Sequence, residues 1–188
     1  MRIQDIAYIA LFAALTAVLG LIPKVDLALI PVPVTAQTLG PMLAGSILGA
    51  RRGAASQALF VFLVAAGLPL LAGGRGGLGI LAGPTAGFLL AWPLAAWAIG
   101  AATERLWTRL TFLHSFAFNI IGGIVIVYAC GIPVLALAAG LPLLKAAAAS
   151  LVFVPGDILK AALAAAVAMF VKRGYPVISG NGDKQARV

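Results

Sequence analysis

The stretch Phe153-Val-Pro-Gly-Asp-Ile-Leu-Lys160 places two full charges inside an apolar segment of membrane-spanning length. From Ala146 to Val171 the only ionisable residues are Asp157 and Lys160, and a helix of this length crosses the roughly 30 Å hydrocarbon core of a bilayer. Each charge near mid-helix costs roughly 2.5 to 3.5 kcal/mol on insertion scales. Because positions i and i+3 share one helix face, both side chains can point into one polar cavity, away from lipid.

Pro155 and Gly156 come directly before the charged pair, where a helix starts or is interrupted. Such a break leaves backbone donors and acceptors free at membrane depth, and broken helices beside intramembrane charges recur where solutes are bound. The stretch therefore predicts a ligand-binding pocket. The alternative is a structural ion pair that fixes helix packing.

The composition is that of an integral membrane protein. Of the 188 residues, 63% are hydrophobic and 10% charged, against about 45 to 50% and 25% in soluble domains. This length suits one domain of about six spans and leaves little for an ATPase module. Cys130 is the single cysteine, and the sequence has no Cys/His cluster with metal-ligand spacing, so we expect neither an internal disulfide nor a metal.

Six transmembrane helices are predicted in a membrane domain of residues 1–173, followed by a flexible cytoplasmic tail of residues 174–188. A Pro-rich connection, Lys24 to Thr38, is expected to be extended and the second span to be short and partly re-entrant. Gly131 to Leu144 is expected to be a loop that lies on the bilayer or covers the pocket. The predicted spans are Ile6–Ile22, Leu39–Ala50, Gly53–Ala72, Leu81–Ala102, Leu110–Cys130 and Ala146–Val171.

The basic residues set the predicted orientation, because cytoplasmic loops carry an excess of Lys and Arg. With six spans, nine basic residues fall on the side of the termini and three fall opposite, which puts both termini in the cytoplasm and the pocket towards the outside. The first group is Arg2, Arg51, Arg52, Arg105, Arg109, Lys172, Arg173, Lys184 and Arg187, and the second is Lys24, Arg75 and Lys145.

The residues alone also indicate what such a pocket would bind. If Arg75, in the glycine-rich loop Gly73–Gly79, folds over Asp157 and Lys160, the site has a formal charge of +1, which suits a small monoanion. The surroundings are apolar, so the ligand should be largely apolar with an acidic end and an N–H-bearing end. Asn119 is expected to face the cavity or to bond a neighbouring helix. The tryptophans are interpreted as packing or interface anchors.

Small residues four apart on the first span allow close approach of another helix. They form the pairs Ala10 with Ala14 and Ala13 with Ala17, and predict a surface for a partner protein.

Four motifs in order resemble the BioY family, the biotin-capturing S component of energy-coupling factor (ECF) transporters. They are Pro33-Val-Thr-Ala-Gln-Thr-Leu39, Gly73-Gly-Arg-Gly-Gly-Leu-Gly79, Gly83-Pro-Thr-Ala-Gly-Phe88 and Phe153-Val-Pro-Gly-Asp-Ile-Leu-Lys160. The resemblance implies an all-α, six-helix S-component fold in the bacterial cytoplasmic membrane. It also implies biotin as the ligand, no cofactor, and docking to a transmembrane coupling (T) subunit with cytoplasmic ATPase subunits.

The resemblance also implies roles for individual residues. Asp157 and Lys160 match the ligand pair of the family, and the Ala10, Ala14 face matches its docking surface. The substrate-binding set predicted from the motifs and from the intramembrane polar residues is Asp157, Lys160, Arg75, Gln37, Gly79, Thr85 and Asn119.

Several other functions remain open from the residues alone. One is an S component for another small vitamin, and another is a small proton-coupled secondary transporter in which Asp157 carries the proton. A membrane enzyme with Asp157 as base is disfavoured, because no nucleophile, metal set or second carboxylate accompanies it. A structural membrane subunit would leave the charged pair without a ligand.

Overall fold

The computed structural model describes residues 2–24, 32–175 and 177–178, in which the regular secondary structure is helical and the only β-structure is isolated bridge residues at Val34 and between Leu71 and Arg75. This agrees with the predicted all-α class. Short 3₁₀ turns occur at Leu78–Ala82, Trp107–Arg109 and Leu151–Phe153, and a π-helical stretch, Ile121–Ile126, joins α6 to α7. The helices are α1 (Ile3–Leu19), α2 (Leu39–Leu48), α3 (Ala50–Ala65), α4 (Ala86–Leu90), α5 (Trp92–Arg105), α6 (Phe112–Ile120), α7 (Val127–Ala139), α8 (Leu143–Ser150) and α9 (Val154–Gly174).

The short helix α2 is the centre of the bundle. Every one of its residues is buried, and it packs against α1, α3, α5 and α9. Its 10 residues make a helix of about 15 Å, roughly half the thickness of a bilayer core, and both end residues, Leu39 and Leu48, are buried. Pro41 in the first turn lowers the cost of that buried end, since proline brings no N–H that needs a partner. The residue that precedes α2 is Thr38.

Helices α2 and α3 meet at a corner that α5 crosses in close contact. The corner residue Gly49 has a φ of +84°, a conformation that L side chains rarely adopt. On α5, a Cβ added at Gly100 would collide with the backbone of Gly49 and Ala50. The N–H of Ala50 donates to Glu104 Oε1 at 2.9 Å, which satisfies one free donor of the first turn of α3. Two glycines and one carboxylate thus fix α5 against the corner.

Three helical segments of the described chain are long and apolar enough to cross a membrane: Ala86–Arg105, Phe112–Ala139 and Leu143–Gly174. The outward faces of the last two carry large apolar side chains, with Leu137 85% and Phe170 79% exposed, as expected where lipid is the solvent. Helix α1 is also apolar but has 17 residues, about 26 Å.

The predicted loop from Gly131 to Leu144 is wrong. Helix α7 continues through this region to Ala139 with Pro133 inside it, and the chain turns only at Gly140–Pro142 before α8 begins. Gly140 has a φ of +64° and ends α7 in the left-handed conformation typical of helix C-caps. The fifth predicted span therefore extends beyond Cys130.

Two other predicted spans also have different bounds. The third ends at Ala65 and not at Ala72, because Gly67, with a φ of +107°, and Pro69 turn the chain. The fourth is interrupted, with α4 and α5 separated at Ala91. The break predicted at Pro155 and Gly156 lies a few residues earlier, since both residues are in the first turn of α9 and the 3₁₀ turn Leu151–Phe153 separates α8 from α9.

The predictions for the Pro-rich connection and the tail fall partly outside the described residues. In the connection, residues 25–31 lie outside, and the described Val32 to Thr35 contains no helix. In the tail, Pro176 and residues 179–188 lie outside. Of its described residues, Gly174 ends α9, Val177 accepts a hydrogen bond from Arg52 Nη2 at 3.0 Å through its carbonyl, and Ile178 is buried.

We expect Gly100→Ala to destabilise the fold by about 1 to 3 kcal/mol, since the new methyl group collides with backbone at the α2–α3 corner and cannot be relieved by a side-chain rotation. Thermal unfolding of the purified protein in detergent measures the loss. The matched control is Gly174→Ala, because a Cβ there meets no atom within 4 Å. Equal unfolding temperatures for the two variants would contradict close backbone contact at Gly100.

Candidate ligand-binding site

Asp157 and Lys160 form an ion pair on the first turns of α9. Lys160 Nζ lies 2.8 Å from Asp157 Oδ1, and the side chains are 17% and 4% exposed respectively. The spacing of three residues brings them onto one face, as the sequence indicated. The pair is nearly removed from water, so each charge needs further polar partners.

Two threonines before α2 and a tyrosine on α7 supply those partners. Thr38 Oγ1 donates to Asp157 Oδ1 at 3.0 Å, and Tyr128 Oη donates to Asp157 Oδ2 at 2.6 Å. Lys160 Nζ donates to the Thr35 carbonyl oxygen at 2.6 Å and to Thr38 Oγ1 at 2.8 Å. Both carboxylate oxygens and the ammonium are thus hydrogen-bonded, which makes a buried pair stable at this depth. We call these five residues the polar network.

A cavity of about 80 Å³ adjoins the polar network. Thr35 and Thr38 belong to both, whereas Asp157 and Lys160 are not among the described residues that line the cavity. The far walls come from the chain before and within α4 and from the start of α5. The described residues that line the cavity are Pro33, Thr35, Gln37, Thr38, Leu71, Arg75, Thr85, Phe88, Leu89 and Trp92.

Three other predicted site residues line this cavity, and their side chains differ in the hydrogen bonds that they make. Arg75 lines it and is half-buried, with Nε donating to the Ala72 carbonyl at 3.3 Å. Thr85 lines it just before α4. Gln37 also lines it, but its amide bonds backbone: Nε2 donates to the carbonyls of Thr16 at 3.1 Å and Leu70 at 2.9 Å. Gln37 thereby fixes the cavity wall to α1.

Two predicted site residues are not brought to the cavity. Gly79 lies in the exposed 3₁₀ turn Leu78–Ala82 and does not belong to the lining. Asn119 is buried between α6 and α2, where its Oδ1 accepts from Ser46 Oγ at 3.1 Å and its Nδ2 donates to the Ser115 carbonyl at 2.9 Å. Of the two alternatives for Asn119, the structure shows the bond to a neighbouring helix.

The four alanines of α1 divide between two faces. Ala10 and Ala14 are exposed, whereas Ala13 is buried and Ala17 is partly buried, both against the protein's own core. Only Ala10 and Ala14 are therefore available to a partner in this fold, and the pair Ala13 with Ala17 supports the helix from inside.

The sequence interpretation missed two residues with polar groups near the cavity. Tyr128 sits in an apolar run of the fifth span, and a hydroxyl at such depth requires a partner, which is the signal that could have identified it. Trp92 is 5% exposed, lines the cavity and stacks on Phe60 at 5.6 Å. Its Nε1 has no hydrogen-bond partner among the described residues.

Among the described residues, no group of three or more His, Cys, Asp or Glu side chains is placed to hold a metal ion. The arrangement is instead suited to a small organic ligand: apolar walls, a few hydroxyls, one cation and an adjoining neutral ion pair.

We expect Lys160→Ala to destabilise the protein by about 3 kcal/mol, because it leaves the Asp157 charge buried with only the Thr38 and Tyr128 donors. Adding Asp157→Asn removes that charge and should recover at least half of the loss. Thermal unfolding and yield measure both variants. Lys145→Ala, at an exposed position on α8, is the control and should change little. A double variant as unstable as the single one would show that Lys160 acts through packing alone.

Comparisons with known proteins show the family of the chain. The family model described as "BioY family" matches residues 1–177. A relative from Rhizobium etli named "Biotin transporter BioY" is 48% identical over 183 residues, which cover 95% of this chain and 98% of the relative. A relative from Bacillus subtilis named "Probable biotin transporter BioY" is 50% identical over 169 residues, covering 90% of each chain.

A solved structure provides the match in three dimensions. The crystal structure of "the S-component for biotin from an ECF-type ABC transporter" aligns with a TM-score of 0.89 and 30% identity, covering 93% of this chain and 94% of that one. Since the family model and both relatives extend over nearly the whole length, the chain belongs to the BioY family.

Proposed function

We propose that this chain captures biotin and takes part in its uptake as the substrate-binding S component of an ECF-type ABC transporter. The observation that carries the proposal is the buried polar network next to an apolar cavity, within a chain of the BioY family. The same family membership places the chain among transport proteins rather than enzymes.

Biotin has the chemistry that this site calls for. Its ureido ring offers two N–H donors and a carbonyl, which suit the Asp157 carboxylate and the Lys160 ammonium or the Tyr128 hydroxyl. Its thioether ring and aliphatic chain suit walls such as Phe88 and Leu89. Both oxygens of Asp157 already accept hydrogen bonds from the protein. Among the residues that the structure describes, Oδ2 accepts from Tyr128 alone, so a ureido donor can bond this oxygen as well or replace one of the existing bonds.

The cavity must widen to admit such a ligand. Its volume is about 80 Å³, whereas pockets for small organic ligands usually measure about 300 to 1,000 Å³. The segment best suited to move is the glycine-rich turn around Arg75, in which Gly73, Gly74 and Gly77 have positive φ. Arg75 would then open and close with the entrance.

Arg75 is also the better of the two candidates for the biotin carboxylate. Lys160 is already bonded to Asp157, Thr35 and Thr38. Among the described residues, the Arg75 side chain donates one hydrogen bond, from Nε to the Ala72 carbonyl. Its terminal amino groups are available for a bidentate bond to a carboxylate.

In the membrane, we infer six crossings with both termini in the cytoplasm and the cavity open to the outside. The six would be α1, α2 with the Pro-rich connection, α3, α4 with α5, α6 with α7, and α8 with α9. The short α2 supports a re-entrant second crossing, and the excess of basic residues on the side of the termini supports the orientation.

We further propose that the exposed face of α1 with Ala10 and Ala14 docks to the transmembrane coupling subunit, which joins this chain to the cytoplasmic ATPases. Small exposed residues four apart allow the close backbone contact that helices use within lipid. The chain itself would then supply binding, and the partners would supply energy.

We expect the purified chain to bind biotin and Asp157→Asn to weaken binding about 10- to 150-fold, which corresponds to the loss of one charged hydrogen bond of about 1.5 to 3 kcal/mol. Equilibrium binding of radiolabelled biotin measures the change. The matched control is Asp5→Asn, the same substitution at the start of α1, which should leave affinity unchanged.

A screen of the wild-type protein against several labelled vitamins decides between ligands. Tight binding of another vitamin with none of biotin would overturn the proposed substrate. Binding that requires a proton gradient would instead favour a proton-coupled transporter. Unchanged biotin affinity in Asp157→Asn would remove that carboxylate from the site.

For the docking face, we expect Ala14→Trp to prevent assembly with the coupling subunit while leaving biotin binding intact, because the indole would hold the two helices apart. Co-purification with the coupling subunit measures assembly. Ala117→Trp, at an exposed alanine on α6, serves as the control and should assemble normally. Normal assembly of Ala14→Trp would refute this face as the docking surface.

A further inference from the structure

A second cavity lies between the start of α6 and the end of α9. Its volume is about 640 Å³, and it occupies the opposite end of α9 from Asp157. We call it the α6–α9 groove. Its walls include Leu110, Phe112, Met169, Phe170, Lys172 and Arg173.

One wall of the groove is apolar and open. Phe112 is 47% exposed and Phe170 is 79% exposed, so both rings present large apolar surfaces outward. Phe112 stacks on Phe116 with the ring centroids 6.2 Å apart, which holds it in place. This wall suits a hydrocarbon chain.

The groove also carries two cations, Lys172 and Arg173. Lys172 Nζ donates to the Leu110 carbonyl at 3.1 Å and lies 5.3 Å from the Trp107 ring centroid, so the charge is held at the rim by two contacts. Arg173 is exposed beside it. The described lining contains no acidic side chain that would neutralise these two charges.

The inferred membrane orientation brings the groove to the depth of a headgroup. Lys172 follows Lys160 by 12 residues along one helix, which is about 18 Å. If the polar network is near mid-membrane, this distance brings Lys172 to the boundary between hydrocarbon and water. This end of α9 is on the same side as the termini, where the predicted loops carry the excess of basic residues.

We propose that the α6–α9 groove binds an anionic phospholipid, with the phosphate at Lys172 and Arg173 and an acyl chain along Phe112 and Phe170. Basic pockets between membrane helices select anionic headgroups in this way. A free phosphate would use the cations but not the aromatic wall. This site is independent of biotin capture, because it shares no residue with the polar network or its cavity.

Native mass spectrometry of the purified full-length chain tests the proposal with two lipids of identical acyl chains, phosphatidylglycerol and phosphatidylcholine. We expect phosphatidylglycerol to be retained at a concentration at least fivefold lower. Arg173→Gln should weaken phosphatidylglycerol about fivefold, the effect expected for one basic residue near a membrane surface, and leave phosphatidylcholine unchanged.

The matched control is Arg51→Gln, which removes one exposed arginine at the start of α3, outside the groove. It should leave the lipid preference unchanged. A second variant, Phe170→Ala, should weaken both lipids equally, which checks the apolar wall without changing charge.

Four results would overturn the proposal. If the two lipids are retained equally, the groove does not select for charge. If Arg173→Gln and Arg51→Gln weaken phosphatidylglycerol binding equally, the selectivity comes from the charge of the whole surface and not from the groove. If inorganic phosphate raises the unfolding temperature as much as phosphatidylglycerol does, the two cations bind a free anion and not a lipid headgroup. If the wild-type chain is a dimer without bound lipid and Phe170→Ala is a monomer, the groove is an interface between copies of the chain.

Discussion

A carboxylate and an ammonium 2.8 Å apart, almost without water, are the constraint on which the rest of this structure depends. Removal of either partner would leave a charge whose burial costs several kcal/mol. The pair is tolerated because Thr38 and Tyr128 complete the bonds of Asp157, and the Thr35 carbonyl completes those of Lys160. The start of α2, the middle of the α6–α7 segment and the start of α9 must therefore meet at one point.

That requirement explains the short central helix. A full-length second span would carry Thr35 and Thr38 within a regular helix, whereas a chain that becomes helical only at Leu39 leaves the Thr35 carbonyl free to accept from Lys160. The interruption before α9 has a related effect, because it places Asp157 in a first helical turn. The irregular backbone before α2 therefore lies where the Lys160 side chain bonds it and where a cavity adjoins it. This combination is typical of solute-binding membrane proteins.

The sequence predicted the parts of this arrangement that depend on local spacing. Asp157 and Lys160 share a face because they are three residues apart, and a helix start beside them is expected from Pro155, which lies in the first turn of α9. It did not predict Tyr128 as a partner of Asp157, because that contact joins residues 29 positions apart and depends on how α7 packs. The loop predicted from Gly131 to Leu144 was wrong because Pro133 is accommodated inside a helix, where apolar packing outweighs its local preference. Ala13 and Ala10 likewise look equivalent until the bundle shows which face is buried.

We propose that the polar network receives the ureido ring of biotin. A structure of the purified chain determined with biotin bound tests it most directly. We predict a ureido nitrogen within hydrogen-bond distance of an Asp157 oxygen, with the carboxylate of biotin near Arg75. Biotin bound elsewhere, with the bonds among Asp157, Lys160, Thr38 and Tyr128 unchanged, would contradict it.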